Sequence, residues 1–259
     1  MMKSRFMLAV LAMSLSTFAY AQNGLAQSGL AKDGLTKEGH AQEGHAPDGD
    51  AQGVAVSGRV SVIHHGKSDH FNNDVVVSLT STQSEQPALS GPTLRFVQKN
   101  KRFTPHLLAV TPGTQIEFPN QDPFFHDVFS IYRGKPFDLG LYESGAVRKV
   151  RFTQPGVSFI FCNIHPEMSA AVVVLRTPHF AITGRDGSFQ IHRVPPGKYK
   201  LEVWAESVAE PELASQVREV EITAGDNAPL SITLHASSPP KDHLNKYGEV
   251  YPPANIEKY

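Results

Sequence analysis

Residues 157–168 read VSFIFCNIHPEM, an apolar and aromatic run that passes directly into a short polar loop. The run has the composition of a buried β-strand. The loop carries Cys162, His165 and Met168, so a thiolate, an imidazole and a thioether lie within one tight turn of the chain. The stretch therefore predicts a strand whose end binds a metal.

Similar strand-like runs continue on both sides of this stretch. They are rich in valine, isoleucine and aromatic residues and are separated by Gly, Pro, Asn and Asp. Only the residues around 205–217 have weak helical character. The pattern predicts an all-β chain built as sandwiches. Representative runs are VSGRVSV at 56–62, DVVVSL at 74–79, AAVVVL at 170–175 and YKLEVW at 199–204.

The N-terminal residues predict export. Lys3 and Arg5 precede an apolar run from 6 to 18, and AYA at 19–21 supplies the small residues of a cleavage site. We therefore expect residues 1–21 to be a signal peptide, cleaved near Ala21, and the protein to be periplasmic or secreted. No other segment approaches the roughly 20 apolar residues of a membrane helix, so no stable membrane insertion is expected.

The charge of the chain argues against nucleic acid as a partner. The formal net charge is -1, and removal of Lys3 and Arg5 with the signal peptide takes two positive charges away and leaves -3. Such a chain has no basic excess for binding phosphates.

Cys162 is the only cysteine of the chain. Exported proteins ordinarily use cysteines in pairs, and here a disulfide within the chain is impossible. The thiol must be inert in a core, reactive, paired with another molecule, or bound to a metal.

The other donors of the loop favour the metal, and copper among metals. A thiolate, imidazole nitrogen and a weak axial thioether suit copper held by two histidines and one cysteine. Zinc would require another donor in place of Met168. A cysteine nucleophile commonly lies at a helix N-terminus, which the sequence does not predict here. An isolated buried structural thiol is the remaining alternative, and the second imidazole has to come from another part of the chain.

His126 is the best source of that imidazole. It ends the pattern F-x-P-x4-V-x2-G-x4-F-x-N-x-D-x3-H, which begins at Phe103, and C-x2-H-x2-M follows downstream. Together the two motifs resemble the plastocyanin- and azurin-type cupredoxins over about residues 92–176, and the loop is most similar in length to that of amicyanin. The resemblance implies a Greek-key β-sandwich and one type 1 copper ion that alternates between Cu(I) and Cu(II). The implied ligands are His126, Cys162 and His165 in the equatorial positions and Met168 in the axial one.

Several neighbours of these ligands lead to further expectations. Asn120 and Asp122 fall in the turn that presents His126, where short polar side chains satisfy backbone amides. Asp127 stands where cupredoxins often have asparagine, and its charge is expected to disfavour Cu(I) and lower the reduction potential. Glu167 places a charge where the family commonly has an apolar docking face, so the partner is expected to be met electrostatically. His106 is expected to be an ordinary strand residue.

A second β-sandwich is predicted from residues 177–236. The run TGRDGSFQIHRVPPGKYKLEVW at 183–204 resembles the carboxypeptidase regulatory-like, transthyretin-like family through its D-G-x-F and P-P-G-x-Y turns. The resemblance implies no catalysis. Because strands like the first two of that family occur far upstream, we expect a cupredoxin at 92–176 to be inserted into a smaller sandwich formed by 54–82 and 177–236.

The two ends of the chain are expected to lack a packed structure. Residues 22–53 contain pentapeptide repeats typical of a flexible linker, in which His40 and His45 occupy equivalent places. A solvated linker is favoured over loose metal scavenging. Residues 237–259 are expected to be a disordered tail or a segment draped on the surface.

The sequence thus predicts an exported electron carrier that is not an enzyme. Its expected partner is a c-type cytochrome or another oxidoreductase. Two alternatives stay open: a copper-binding or delivery protein without redox turnover, and a scaffold module whose cupredoxin has lost its metal.

Overall fold

The computed structural model describes residues 53–64, 67–68, 74–83, 91–131, 134–237 and 243–251. The expected signal peptide and the linker up to residue 52, with His40 and His45, lie outside the described residues. The described secondary structure consists of 18 strands and one short helix, which confirms the all-β prediction. The elements are β1 (Val54–His64), β2 (Lys67–Ser68), β3 (Val75–Ser81), β4 (Leu94–Arg95), β5 (Val97–Gln98), β6 (Phe103–Thr104), β7 (Leu107–Val110), β8 (Thr114–Pro119), β9 (His126–Ser130), β10 (Phe137–Tyr142), β11 (Val147–Phe152), β12 (Gly156–Cys162), β13 (Ser169–Val174), β14 (Phe180–Ile182), β15 (Ser188–Val194), β16 (Gly197–Ala205), α1 (Glu210–Ser215), β17 (Arg218–Ile222) and β18 (Leu230–His235).

The first sandwich is formed by strands β4 to β13. One sheet has the order β10-β9-β12-β13-β7 and the other the order β11-β8-β4, with the β5-β6 pair beside them. Alternate residues of both sheets meet in one apolar core, in which Ile116 and Phe118 from β8 join Ile160 and Cys162 from β12. Since residues two apart in a strand point to the same face, Cys162 continues the inward face that Ile160 begins. The thiol is thereby placed at the end of the core.

The second sandwich brings the start of the chain together with its C-terminal strands. β1 pairs antiparallel with β15 and parallel with β18, while β3 lies between β14 and β16. Its core is a separate apolar cluster. The chain therefore leaves these sheets after β3 and returns to them with β14. The division into domains at residues 82, 92 and 177 stays a prediction.

Gly58 shows how closely the strands of this second sandwich approach. A Cβ atom built at this position would lie 2.4 Å from the Leu230 carbonyl oxygen and 2.5 Å from the Phe189 ring. Only glycine fits at this position of β1, which lies between β15 and β18 in the sheet.

The two sandwiches share a third apolar cluster. Leu107, Ala109, Ala171 and Val173 contribute to it from β7 and β13, and residues of β3 and β14 complete it. His106 Nε2 lies 2.6 Å from Glu206 Oε2, so this side chain contacts the second sandwich. His106 directly precedes β7 and is not itself a strand residue, in contrast to the expectation. None of the described residues forms a helix with the length and apolarity that a membrane span requires.

Candidate metal centre

Neighbouring strands and one turn bring the predicted ligands together. His126 begins β9 and Cys162 ends β12, and these strands pair so that Cys162 lies opposite Val128. His165 follows in the turn between β12 and β13, which is closed by a hydrogen bond of 3.0 Å from the Met168 amide to the His165 carbonyl. The C-x2-H spacing therefore returns an imidazole to the thiol within one turn.

The three donor atoms form a compact triangle. Cys162 Sγ lies 3.6 Å from His126 Nδ1 and 3.5 Å from His165 Nδ1, and the two Nδ1 atoms are 3.2 Å apart. A point in their plane that is equidistant from all three lies about 2.0 Å from each, close to the bonds of roughly 2.0 Å to imidazole nitrogen and 2.3 Å to thiolate that a first-row metal makes. The donors present thus fit a three-coordinate ion without rearrangement.

Burial keeps these donors uncharged in the absence of an ion. Burial lowers the pKa of His126. Burial also lowers the pKa of His165 to about 4, and a positive charge on His126 or Lys101 acts in the same direction. Burial also raises the pKa of the Cys162 thiol, against the effect of backbone hydrogen bonds from Asp127, Ile164 and His165. Metal binding must therefore displace the thiol proton, while both imidazoles are already neutral at pH 7.

Asp122 orients His126. Its Oδ2 accepts hydrogen bonds from His126 Nε2 at 2.9 Å and from the Lys101 amide at 3.0 Å, and its Oδ1 accepts one from the Asn100 amide at 2.6 Å. Burial by itself would raise the pKa of this carboxyl, but these three donors outweigh it and the pKa is lowered. Because the carboxylate holds the proton of His126 on Nε2, Nδ1 is left free to bind a metal.

Phe124 covers the two imidazoles. Its ring centre lies 5.5 Å from that of His126 and 5.3 Å from that of His165. His126 and Cys162 are fully buried, whereas His165 is partly exposed. Phe124 is absent from the residues predicted from the sequence, although an aromatic residue two positions before His126 is a signal that could have identified it.

Met168 lies in the core that Cys162 shares. Its side chain is fully buried, and its carbonyl accepts a hydrogen bond of 3.3 Å from the Cys162 amide. The structure thus places Met168 beside the thiol end of the core. Its role as an axial ligand stays a prediction.

Residues 161–168, which carry Cys162 and His165, are here called the metal loop. Residues 243–251, here called the C-terminal strap, lie against it. The Tyr251 hydroxyl donates to the Cys162 carbonyl at 2.9 Å, and the His243 ring stacks on Phe161 at 3.9 Å between ring centres. The Lys246 ammonium reaches Asp127. Residues 243–251 agree with the expected segment draped on the surface, and residues 238–242 and 252–259 of the expected tail lie outside the described residues.

Comparison with known proteins finds one family model that matches part of the chain. Residues 166–235 match the model of the carboxypeptidase regulatory-like domain. The match begins inside the metal loop and spans β13, a strand that pairs with β12 and β7 of the first sandwich. The chain matches no curated protein sequence.

Solved structures of copper proteins are similar to parts of the chain. A purple cupredoxin from Nitrosopumilus maritimus is 22% identical, with 31% of this chain and 98% of that chain covered and a TM-score of 0.29. Amicyanin from Paracoccus versutus is 16% identical, with 40% and 99% covered and a TM-score of 0.29. The copper-containing nitrite reductase from Thermus scotoductus is 22% identical, with 44% and 28% covered and a TM-score of 0.31. Similarity of this extent carries no functional argument, which has to come from the site itself.

Proposed function

We propose that the protein is an exported one-electron carrier that uses a single copper ion, which His126, Cys162, His165 and, more weakly, Met168 would hold. The observation that carries the proposal is the triangle of two Nδ1 atoms and one Sγ, with sides of 3.2 to 3.6 Å. Two imidazoles and one thiolate with a nearby thioether form the donor set that selects copper and supports electron transfer. A bound copper ion would supply one redox step between Cu(I) and Cu(II).

The chain's own residues prepare the site for that role. Asp122 fixes the ring of His126, and strand pairing fixes Cys162, so the donors need little rearrangement when the charge of the ion changes. Water is kept out by the core behind Cys162 and by Phe124 in front of the imidazoles. His165, as the partly exposed ligand, is the proposed exit for the electron.

The surface around His165 bears on the choice of partner. Phe125 and Ile164 are 50% and 44% exposed, each directly before a histidine ligand, and Glu167 is also exposed. An apolar contact surface is therefore combined with a negative charge. We propose a redox protein as the partner, such as a c-type cytochrome or another oxidoreductase, that presents an apolar face with a positive rim.

The remaining chain serves export and orientation in this proposal. Residues 1–21 direct export, and the sandwich of residues 54–82 and 177–236 holds the inserted copper domain, residues 92–176. The pairing of β1 and β3 with strands after residue 177 supports this division.

Copper titration tests the proposal. Cu(II) is added to the purified protein, and the visible and paramagnetic resonance spectra are recorded for the wild type and for Cys162→Ala. Because Cys162 is the only cysteine, an intense thiolate-to-copper band can come from no other residue. The band is expected in the wild type and not in the variant, and its absence from the wild type would refute the assignment.

Redox turnover is tested on the copper-loaded protein. Reversible reduction and reoxidation by a small c-type cytochrome, with the band bleaching and returning, is the expected result. Transfer of the copper to a chelating protein without any bleaching cycle would instead favour copper delivery.

A further inference from the structure

The ammonium group of Lys246 lies between two carboxylates beside the metal ligands. Lys246 Nζ is 2.9 Å from Asp127 Oδ2 and 3.0 Å from Asp138 Oδ2, and its side chain is only 15% exposed. Asp127 directly follows the ligand His126, and its side chain is 7% exposed. A buried carboxylate is costly unless it is paired, so Lys246 supplies the compensating charge.

Besides Lys246, the Asp127 side chain has one amide donor and the Asp138 carboxyl beside it. Asp127 Oδ2 accepts a hydrogen bond of 3.1 Å from Asn163 Nδ2, while its Oδ1 has no hydrogen-bond partner among the described residues. The compensation of its charge therefore depends on Lys246.

The strap contacts the metal loop at several further points. The Lys246 amide donates to Asn163 Oδ1 at 3.1 Å, and His243 Nε2 lies 2.8 Å from the Pro166 carbonyl. With the contacts of Tyr251 to Cys162 and of His243 to Phe161, the strap touches the loop at four residues between 161 and 166.

The strap brings its own turn to this surface. Asn245 Oδ1 accepts hydrogen bonds from the amides of Tyr247 and Glu249 at 2.9 and 3.0 Å. Gly248 has a φ of 80°, which favours glycine. The turn fixes the direction in which the neighbouring Lys246 points.

We infer that Lys246 is a positioning residue of the metal centre, which neutralises Asp127 and holds the strap closed over the loop that carries Cys162 and His165. The redox consequence rests on the proposed function. An unpaired anion beside the ligands would stabilise the more positive, oxidised ion, so the ammonium group keeps the reduced state accessible.

The first test measures the reduction potential of the copper-loaded full chain at pH 7. In Lys246→Met, the electron-exchange equilibrium is expected to shift about tenfold toward the oxidised form. A shift of this order is expected when a unit positive charge on the order of 10 Å from the copper is removed at an effective dielectric constant of about 20. This shift corresponds to a potential lower by about 59 mV. Lys246→Arg, which keeps the charge, should stay near the wild type, and the double variant Asp127→Asn/Lys246→Met should return toward it.

Lys149→Met is the matched control. Lys149 also forms an ion pair, 2.8 Å from Glu117, but on the strand pair β8 and β11 of the other sheet. It should leave the potential unchanged.

The second test needs no copper. In the metal-free full chain, a thiol reagent labels Cys162, the only cysteine, at a rate that reports opening of the loop. Labelling is expected to be on the order of tenfold faster in Lys246→Met, because the closed loop loses the free energy of one hydrogen bond to a charged group. The rate should be unchanged in Lys149→Met.

The two tests separate this inference from the proposed function. A wild type without the thiolate band but with faster labelling in Lys246→Met would overturn copper electron transfer while supporting closure by the strap. A band together with an unchanged potential and an unchanged labelling rate in Lys246→Met would overturn the role of Lys246.

Discussion

Replacement of Asp122 by asparagine should weaken copper binding although the side chain keeps its shape. The carboxylate accepts three hydrogen bonds, two through Oδ2 and one through Oδ1. An asparagine offers only one oxygen. If that oxygen faces His126 and Lys101, the amino group of the new side chain faces the Asn100 amide, and neither of these two donors can accept. In the opposite orientation the amino group faces the donors of His126 and Lys101.

The magnitude follows from the bonds that are lost. Hydrogen bonds to a charged acceptor contribute about 1.5–3 kcal/mol, against about 1 kcal/mol for neutral ones. Asp122→Asn keeps at best two neutral bonds, and Asp122→Ala keeps none. We expect copper affinity to fall roughly tenfold in the first variant and nearer 100-fold in the second, the range found when partners of metal-binding histidines are removed.

Competition with a chromophoric Cu(I) chelator measures these affinities. Thermal unfolding of the metal-free variants is recorded alongside, so that a loss of the fold is not mistaken for a loss of the site. Asp186→Asn is the matched control, because Asp186 is an exposed carboxylate that pairs with Arg59 in the second sandwich. If both Asp122 variants, fully folded, bind copper within twofold of the wild type, Asp122 does not orient His126.

Three further variants test other parts of the structure. Glu206 raises the pKa of His106 through a 2.6 Å hydrogen bond. This pair should therefore stabilise the fold below the unfolded pKa of about 6.5 and lose its effect as the pH rises through the higher folded value. The urea midpoints at pH 6 and pH 9 should differ less in Glu206→Gln than in the wild type, and an equal difference would count against the pair. Met168→Leu should change the free energy of unfolding by less than about 1.5 kcal/mol because the volume is kept, yet alter the copper spectrum; an unaltered spectrum would make Met168 a core residue only. Gly58→Ala should destabilise the fold by about 1–3 kcal/mol, since the Leu230 carbonyl lies 2.4 Å from the added Cβ. A melting temperature equal to that of the wild type would show that β1 and β18 do not lie so close together at this position.

The three donors that the structure brings together could be predicted from the sequence because their spacing is local or part of a motif. Cys162 and His165 share one turn, so the C-x2-H spacing by itself places their donor atoms close together. His126 is distant in sequence, and only the pattern from Phe103 onward pointed to it. Phe124 lies inside that pattern but carries no donor atom, so a prediction based on ligand types does not include it.

The strap could not be predicted because nothing local specifies it. Lys246 and Asn163 are 83 residues apart, and the tail has neither strand alternation nor a helical period. The expected effect of Asp127 shows the consequence. From the sequence, its charge alone predicts a lowered potential, whereas in the structure the charge is paired with Lys246.

The strand after Met168 links the second sandwich to the behaviour of the metal loop. In β13, Ala170 and Val172 face the core that contains Cys162, whereas Ala171 and Val173 face the cluster shared with β3 and β14. The unbroken apolar run AAVVVL, which shows no alternation, reflects this burial on both faces. A strand packed from both sides gives the loop a fixed end at Met168, while β12 fixes the other end at Cys162. The second sandwich therefore restrains one side of the loop, and the strap covers the other side. The proposed electron carrier requires such restraint, because its donors must move little between redox states.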